Sequence, residues 1–274
     1  MPKVSVAIVS WNTKDLVLDC LRSLYERTKD IDFEVFLVDN RSSDGTLEAV
    51  QKAFPQVDAI DSGGNLGFAK ANNIALRKST GKYFLLLNPD TVLTDNSVKE
   101  LADFMDKTPN IGAAGPVILN GDGTLQQSWA KLPTLIGEIR GVLDREITPG
   151  TAPDTVEDLR KLRPFETGWV GGACMMVSAE AVKKIGEMDE NIFMYSEETD
   201  WCKRLHDGGY SVWLDTKATV IHYGGRSSEQ ASDFSRRQLI RSKSIYFAKH
   251  KGLLQSLLLK AALTMKMKIG KMLK

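Results

Sequence analysis

Two short acidic segments in this chain have the residue types and spacing to do chemistry. In the first, the apolar run Tyr83-Phe84-Leu85-Leu86-Leu87 passes straight into Asn88-Pro89-Asp90. A buried strand that ends in a carboxylate presents it at the carboxyl edge of a sheet, where open α/β folds bind ligands. Pro89 has no amide to donate, so strand pairing stops there, and Asp90 is too costly to bury without a partner. Taken alone, the segment also fits a strand-to-helix turn with an aspartate cap. The second segment is Glu197-Glu198-Thr199-Asp200, followed by Trp201, Cys202 and Arg204. The macrodipole at a helix start welcomes one or two acids, but three carboxylates in four residues exceed what capping requires. Crowded acids raise one another's pKa, which suits a general base. Asp90 is a fitting oxygen ligand for Mg2+ or Mn2+, hard cations that prefer few carboxylates plus substrate phosphates. His222, followed by Gly224-Gly225-Arg226-Ser227-Ser228, could add a ligand or a phosphate donor. A lone histidine at a strand end also serves purely structural ends.

The elements that must position these groups alternate through the first 120 residues. Val4–Ser10 reads as a strand, and Asn12 or Thr13 then opens a helix with Val17, Cys20, Leu21 and Leu24 on one face. Glu34–Val38 is a second strand, ending in Asp39-Asn40. Val57–Ile60 is a weaker third, leading into Ser62-Gly63-Gly64-Asn65-Leu66-Gly67 and a helix over Ala69–Ser79. This alternation implies a parallel sheet with right-handed crossovers, gathering the loops at Asp39, Asn65 and Asp90 at one edge. Further on, Ile111–Leu119 is a strand and Trp169–Val177 a strand interrupted by Gly171-Gly172. Helices follow over Glu180–Ile185 and Glu197–Asp207, then short strands over Val212–Leu214 and Thr219–His222. Residues 125–165 have weak periodicity and receive no assignment.

Composition is that of a globular protein, 42% hydrophobic and 26% charged, with a net charge of +1 that hides an asymmetry. No acidic residue follows Asp233, whereas eleven basic ones do; the preceding residues hold 25 basic and 35 acidic side chains. Such a basic end calls for an anionic partner or surface. Its apolar runs are too short to span a bilayer, and Lys260, Lys268, Lys271 and Lys274 share one arc of a helix. That pattern suits a helix lying on an anionic membrane surface; the alternative is docking on another subunit through Leu253, Leu257, Leu258 and Met265. From Ser235 onward Tyr246 and Phe247 are the only aromatics, so the tail is a poor nucleic-acid binder. Cys20, Cys174 and Cys202 are scattered and form no CxxC, as expected of reduced core thiols in a cytoplasmic protein. The N-terminus carries no basic-then-apolar leader.

Five segments in order closely resemble the family 2 inverting glycosyltransferases, especially bacterial rhamnosyltransferase-like members. They are Val6–Asn12, Val38–Gly45, Gly64–Asn73, Leu87–Asp90 and Tyr195–Asp200, and the resemblance covers about residues 3 to 228. It implies an α/β GT-A fold over residues 1–228, followed by a basic, amphipathic helical tail over 229–274. It further implies a nucleotide diphosphate sugar at the sheet edge, with Asp39, Ser10, Trp11 and Asn12 toward base and ribose. Asn65, Gly67 and Asn73 would shape the nucleotide pocket. Asp90 matches the last acid of the family's DxD motif, while the first is replaced by neutral Asn88, leaving one direct carboxylate contact for the metal and Asn88 for the sugar or ribose. Glu198 matches the catalytic base, with Glu197 as the competing candidate. Trp169, Gly171, Gly172 and Asp200 are expected around donor sugar and acceptor.

The resemblance favours dTDP-L-rhamnose as donor, with a UDP-sugar possible. A lipid-linked saccharide acceptor at the inner face of the cell membrane follows, approached by a peripheral enzyme that could oligomerise through its tail. Gln238-Leu239-Ile240-Arg241-Ser242 lacks the tryptophan of the processive synthases' Gln-x-x-Arg-Trp, so a non-processive enzyme is expected. A sugar-1-phosphate nucleotidyltransferase would need a glycine- and arginine-bearing loop after the first strand, where this chain has Ser10-Trp11-Asn12-Thr13. The remaining alternative is a catalytically inactive sugar-nucleotide-binding module that recruits a partner to the membrane.

Overall fold

The computed structural model describes residues 1–143, 155–224 and 232–272. Strands β1 (Val4–Ser10), β2 (Phe33–Asp39), β3 (Asp58–Asp61) and β4 (Tyr83–Leu87) alternate with helices α1 (Lys14–Arg27), α2 (Thr46–Ala53) and α3 (Phe68–Lys78). There follow β5 (Thr91–Leu93), α4 (Ser97–Lys107), β6 (Ile111–Leu119), β7 (Leu125–Gln126), β8 (Trp129–Ala130) and α5 (Leu135–Leu143). After α6 (Val156–Lys161) come β9 (Phe165–Glu166), β10 (Trp169–Val170), β11 (Cys174–Ser178), α7 (Ala179–Ile185), α8 (Glu197–Asp207) and β12 (Ser211–His222). Two helices, α9 (Ser232–Lys251) and α10 (Leu253–Met272), complete the described chain.

The main sheet has the order β3-β2-β1-β4-β11-β6-β12-β5, with β7 on β6 and β9 on β12; β8 and β10 form a separate pair. The first four strands are parallel, and β11 inserts antiparallel between β4 and β6. Every residue of β1 is buried, as expected of a parallel strand covered on both faces. Its side chains divide by the two-residue period. Val4, Val6 and Ile8 pack with α1 residues Val17, Leu21 and Leu24, whereas Ala7 and Val9 pack with Ala71 of α3 and Trp201 of α8.

Register brings the chemistry to one edge. Ser10 pairs with Asp39, Asp39 with Asp61, and Ile8 with Leu87, so β1, β2, β3 and β4 end nearly level. Cys174 at the start of antiparallel β11 faces Leu87, which sets Gly171-Gly172-Ala173 beside Asn88. His222 closes β12 opposite Thr91.

Three local expectations differ from the structure. Trp169–Val177 is two strands in two sheets, because the Gly171-Gly172 step carries the chain from the β8 pairing into the main sheet. Residues 211–222 form one strand with an irregularity between Asp215 and Thr219 where two strands were expected. The basic tail is a helical pair broken at Gly252, whose φ of +93° ends α9. Helix α9 is docked rather than free: Tyr246 and Phe247 are fully buried and form a small third core with Leu259 of α10, flanked by Leu135 of α5. Leu253, Leu257, Leu258 and Met265 are exposed on the outer side of α10. No described helix is long and apolar enough to cross a membrane.

Candidate active site

The edge where these strands end opens into a cavity of about 940 Å3. Ser10, Trp11, Asn65, Gly67, Asn88 and Asp90 contribute to its wall from the nucleotide-binding loops foreseen in the sequence. Asp39 and Asn12 stand behind that wall. Asp39 is buried and both its carboxylate oxygens are taken by Ser42, from the backbone N–H at 2.8 Å and the hydroxyl at 2.5 Å. Asn12, at φ +53°, accepts from the Ser43 N–H at 2.8 Å and donates its own N–H to Ser42 Oγ at 2.8 Å. These bonds lock the loops after β1 and β2 together. Asn40 reaches the wall instead, donating from Nδ2 to the Gly67 carbonyl at 3.3 Å.

Asp90 and His222, expected as metal-side groups, meet here. Asp90 Oδ1 lies 3.1 Å from His222 Nε2, and Asn88 Nδ2 lies 3.1 Å from the same nitrogen. His222 Nδ1 is 2.7 Å from Gln126 Oε1. Nε2 thus faces both the Asn88 amide and the Asp90 carboxylate. An imidazole nitrogen and a carboxylate oxygen converging at this distance, with the other ring nitrogen held by a side-chain carbonyl, form a donor set suited to a divalent cation. Two protein ligands are too few for a closed site, and no larger cluster of ligating side chains occurs among the described residues, so further oxygens must come from substrate. Gly225 to Ser228 lie outside the described residues.

The acidic pair sits at the start of α8, immediately after two consecutive non-glycine residues with left-handed backbone, Tyr195 at φ +70° and Ser196 at φ +66°. Such conformations are costly and persist only where surrounding structure imposes them. Here the Phe68 N–H donates to the Phe193 carbonyl at 2.7 Å, Ser242 Oγ of α9 donates to the Met194 carbonyl at 2.7 Å, and Phe234 of α9 packs edge-on to Phe193. Both glutamates line the cavity. Burial, and then the charge of its neighbour Glu198, push the Glu197 carboxyl well above the ordinary range. Glu198 is also raised by burial, but backbone hydrogen bonding, the Thr199 hydroxyl at 3.2 Å and the Lys243 ammonium favour its charged form. The two acids titrate as a pair, and the contacts that favour charge fall on Glu198.

Trp169, Gly171 and Gly172 also line the cavity. A Cβ on Gly172 would stand 3.6 Å from both Glu198 Cβ and Phe68, filling the space beside the carboxylate. Two expected contacts point elsewhere. Asp200 is fully buried on the far side of α8, where Oδ1 meets His250 Nε2 at 2.7 Å and Lys249 Nζ at 2.9 Å, and Oδ2 meets Arg204 Nε at 2.9 Å. Despite its burial, Lys249, Arg204 and the hydrogen bond with His250 hold its carboxyl below the usual range, and it fastens α9 to α8 rather than facing a sugar. Asn73 spends its amide on the chain before α8, accepting from the Met188 N–H at 3.1 Å and donating to the Met188 carbonyl at 2.9 Å. Two wall elements carry no signal in the sequence: residues 126–138, including Ser128 and Glu138, and the α9 residues Leu239, Lys243, Tyr246 and Phe247. The first had no periodicity to read, and the second read as surface helix.

A strand-edge cavity walled by an acid pair on one helix and by a carboxylate–imidazole pair has the parts of a transferase site on an α/β sheet. The model of Glycosyl transferase family 2 matches residues 5–186, and the chain belongs to that family; it is a glycosyltransferase of GT-A fold. It is 31% identical over 208 residues to an N-acetylglucosaminyl-diphospho-decaprenol L-rhamnosyltransferase of Mycobacterium tuberculosis, covering 71% of this chain and 67% of that protein. Rhamnosyltransferase WbbL of Escherichia coli K12 is 24% identical over 259 residues, covering 90% of this chain and 93% of WbbL. Among solved structures, mannosyltransferase PcManGT of Pyrobaculum calidifontis, in complex with GDP-Man and Mn2+, superposes with a TM-score of 0.62 at 15% identity. That match covers 98% of this chain and 75% of PcManGT.

Proposed function

We propose that this glycosyltransferase moves L-rhamnose, with inversion, from dTDP-L-rhamnose to a hydroxyl of a lipid-linked saccharide, as a peripheral enzyme on the inner face of an anionic membrane. The observation that carries the reading is the presence of the Glu197–Glu198 acid pair and the Asp90–His222 pair on the walls of a single cavity. The rhamnosyltransferase names of the relatives support the donor, and the diphospho-decaprenol acceptor of the mycobacterial relative supports the acceptor.

Glu198 takes the proton of the acceptor hydroxyl, and the oxygen attacks the anomeric carbon from the face opposite the diphosphate. The bond from that carbon to the diphosphate oxygen breaks, and its electron pair leaves with the nucleoside diphosphate. Burial and the Glu198 charge disfavour ionisation of Glu197, which limits negative charge beside the base. Asp90 and His222 would hold Mg2+ or Mn2+, which when bound supplies charge neutralisation for the leaving diphosphate. Asn88 orients the imidazole in the position where family members carry an acid.

The membrane part of the reading rests on α10. Leu253, Leu254 and Leu257 are 73%, 72% and 64% exposed, and the chain after Asp233 carries eleven basic residues and no acid. An apolar helix face flanked by lysines matches the interface of an anionic bilayer.

The test is product formation from dTDP-L-rhamnose and an N-acetylglucosaminyl diphosphate bearing a short isoprenyl chain, with Mg2+ or Mn2+. The wild-type protein forms rhamnosylated product, and Glu198→Gln binds dTDP with unchanged affinity but forms none. Normal turnover by Glu198→Gln would move the base to Glu197, and absence of product from wild type with this donor would overturn the rhamnosyl assignment.

A further inference from the structure

Two consecutive residues at the entrance to α8, Tyr195 at φ +70° and Ser196 at φ +66°, hold left-handed backbone without being glycine. Both line the cavity together with Glu197 and Glu198, so the turn and the acids share one wall. A peptide unit rotates as a rigid plane, and turning the Met194–Tyr195 plane over changes only ψ of Met194 and φ of Tyr195. Such a half-turn would take Tyr195 from φ +70° to about −110°, a value open to any side chain. The turn therefore has a route by which to relax, and a neighbour must block it.

Ser242 blocks it. Its Oγ donates to the Met194 carbonyl at 2.7 Å, and turning that plane over would carry the carbonyl oxygen away and break the bond. Ser242 is 1% exposed and lies in the middle of α9, so its hydroxyl is held by a helix rather than by a loop. At about 100° per residue, Phe234, Ser242 and Lys249 share an arc of about 80° on that helix. All three touch the chain around the turn. Phe234 packs edge-on to Phe193 with ring centroids 5.7 Å apart, and Lys249 pairs with Asp189 at 2.7 Å and with Asp200 at 2.9 Å. One face of α9 thus grips residues 189–200 before, at and after the turn. The preceding carbonyl, that of Phe193, is taken by the Phe68 N–H of α3 at 2.7 Å, so consecutive peptide planes are fixed from two different helices.

We propose that Ser242 is a positioning residue for the base: its hydroxyl pins the Met194–Tyr195 peptide plane and so holds the first turn of α8, with Glu197 and Glu198, against the cavity. Ser242 lies beyond residue 186, where the family match ends, so the basic C-terminal helix supplies part of the machinery. The proposal rests on the glycosyl-transfer reading above, in which Glu198 is the base.

In the full chain, Ser242→Ala removes the pin and little else, since alanine is a better helix former than serine and the other α9 contacts stay. Losing one hydrogen bond shifts the equilibrium of the turn about tenfold. Hydrogen-exchange mass spectrometry of Ser242→Ala gives about tenfold faster exchange over residues 195–200, with α4 at the wild-type rate. With dTDP-L-rhamnose and the isoprenyl diphosphate acceptor, kcat falls about tenfold while the Kd for dTDP is unchanged. Glycine holds a positive φ without steric cost, so Tyr195→Gly makes the pin dispensable, and in that background Ser242→Ala lowers kcat less than about twofold. Wild-type exchange over residues 195–200, or wild-type kcat, in Ser242→Ala would overturn the proposal. So would a tenfold loss of kcat in both backgrounds, the mark of packing alone, or a Kd for dTDP raised in step with the loss of kcat. A wild-type protein that formed no product would sink the proposed reaction, and the exchange rates would still decide whether Ser242 pins the turn.

Discussion

Replacing Gly67 by alanine tests how the nucleotide loop and the catalytic helix are joined. Gly67 sits at φ +83° and ψ −180°, a region open essentially to glycine alone, so any side chain costs about 1–3 kcal/mol in backbone strain. A Cβ there would also lie 2.4 Å from the Phe193 carbonyl oxygen and 2.6 Å from its ring. Ordinary contact begins near 3.4 Å, so the Phe193 backbone has to retreat by about 1 Å. That carbonyl accepts the Phe68 N–H at 2.7 Å, and stretching the bond costs about 1 kcal/mol more. The combined loss of about 2–4 kcal/mol lowers Tm by about 5–15 °C in a domain of this size. Phe193 leads directly into Tyr195, Ser196 and the first turn of α8, so the shift is passed to Glu198. A displacement of about 1 Å at a reacting group costs on the order of 100-fold in kcat. The assay pairs thermal unfolding with turnover, using Gly64→Ala as control because a Cβ at Gly64 meets nothing within 4 Å. Wild-type Tm and kcat in Gly67→Ala would refute the coupling.

Two further predictions concern groups away from the chemistry. Asp215, fully buried at the irregularity of β12, accepts the Lys217 N–H at 3.0 Å through Oδ1, while Oδ2 has no partner, and burial pushes its pKa up to about 6. Because the folded value lies above the ordinary 3.8, the folded state holds the proton more tightly, and stability falls as pH rises from about 4 through about 6. Asp215→Asn removes that loss: urea unfolding gives equal stability near pH 4 and a gain of about 2–3 kcal/mol at pH 8, and a loss at pH 8 would refute it. On α10, deleting the whole tail would strip Tyr246 and Phe247 from the cavity wall, so point substitutions are the cleaner probe of membrane binding. Leu254→Asp with Leu257→Asp weakens sedimentation with phosphatidylglycerol vesicles at least tenfold, at about 1.5–3 kcal/mol per buried leucine, and unchanged binding would reject the helix as the membrane contact.

The order of elements through residue 120, the α/β class and the five motif segments were legible in the chain itself. The continuous apolar run of β1, helical spacing in α1 and strand ends marked by Asp39 and Asn88-Pro89-Asp90 are local signals, and short-range sterics and burial suffice to express them. The pairing of Asp90 with His222 was foreseen only as two candidate ligands, because residues 132 positions apart meet through the register of β12 beside β5 and β6, and register is a property of the sheet. Asp200 reads in sequence as a contact to the donor sugar and acceptor, close to Glu198 in spacing. Rotation along α8 turns it instead to Lys249 and His250, partners that only the docking of α9 provides. The same docking decided the role of Tyr246. In sequence it is one aromatic in a basic helix, whereas in the fold it is a buried wall of the cavity, because the apolar side of α9 finds its complement in α5 and α10, segments far from it or after it in the chain.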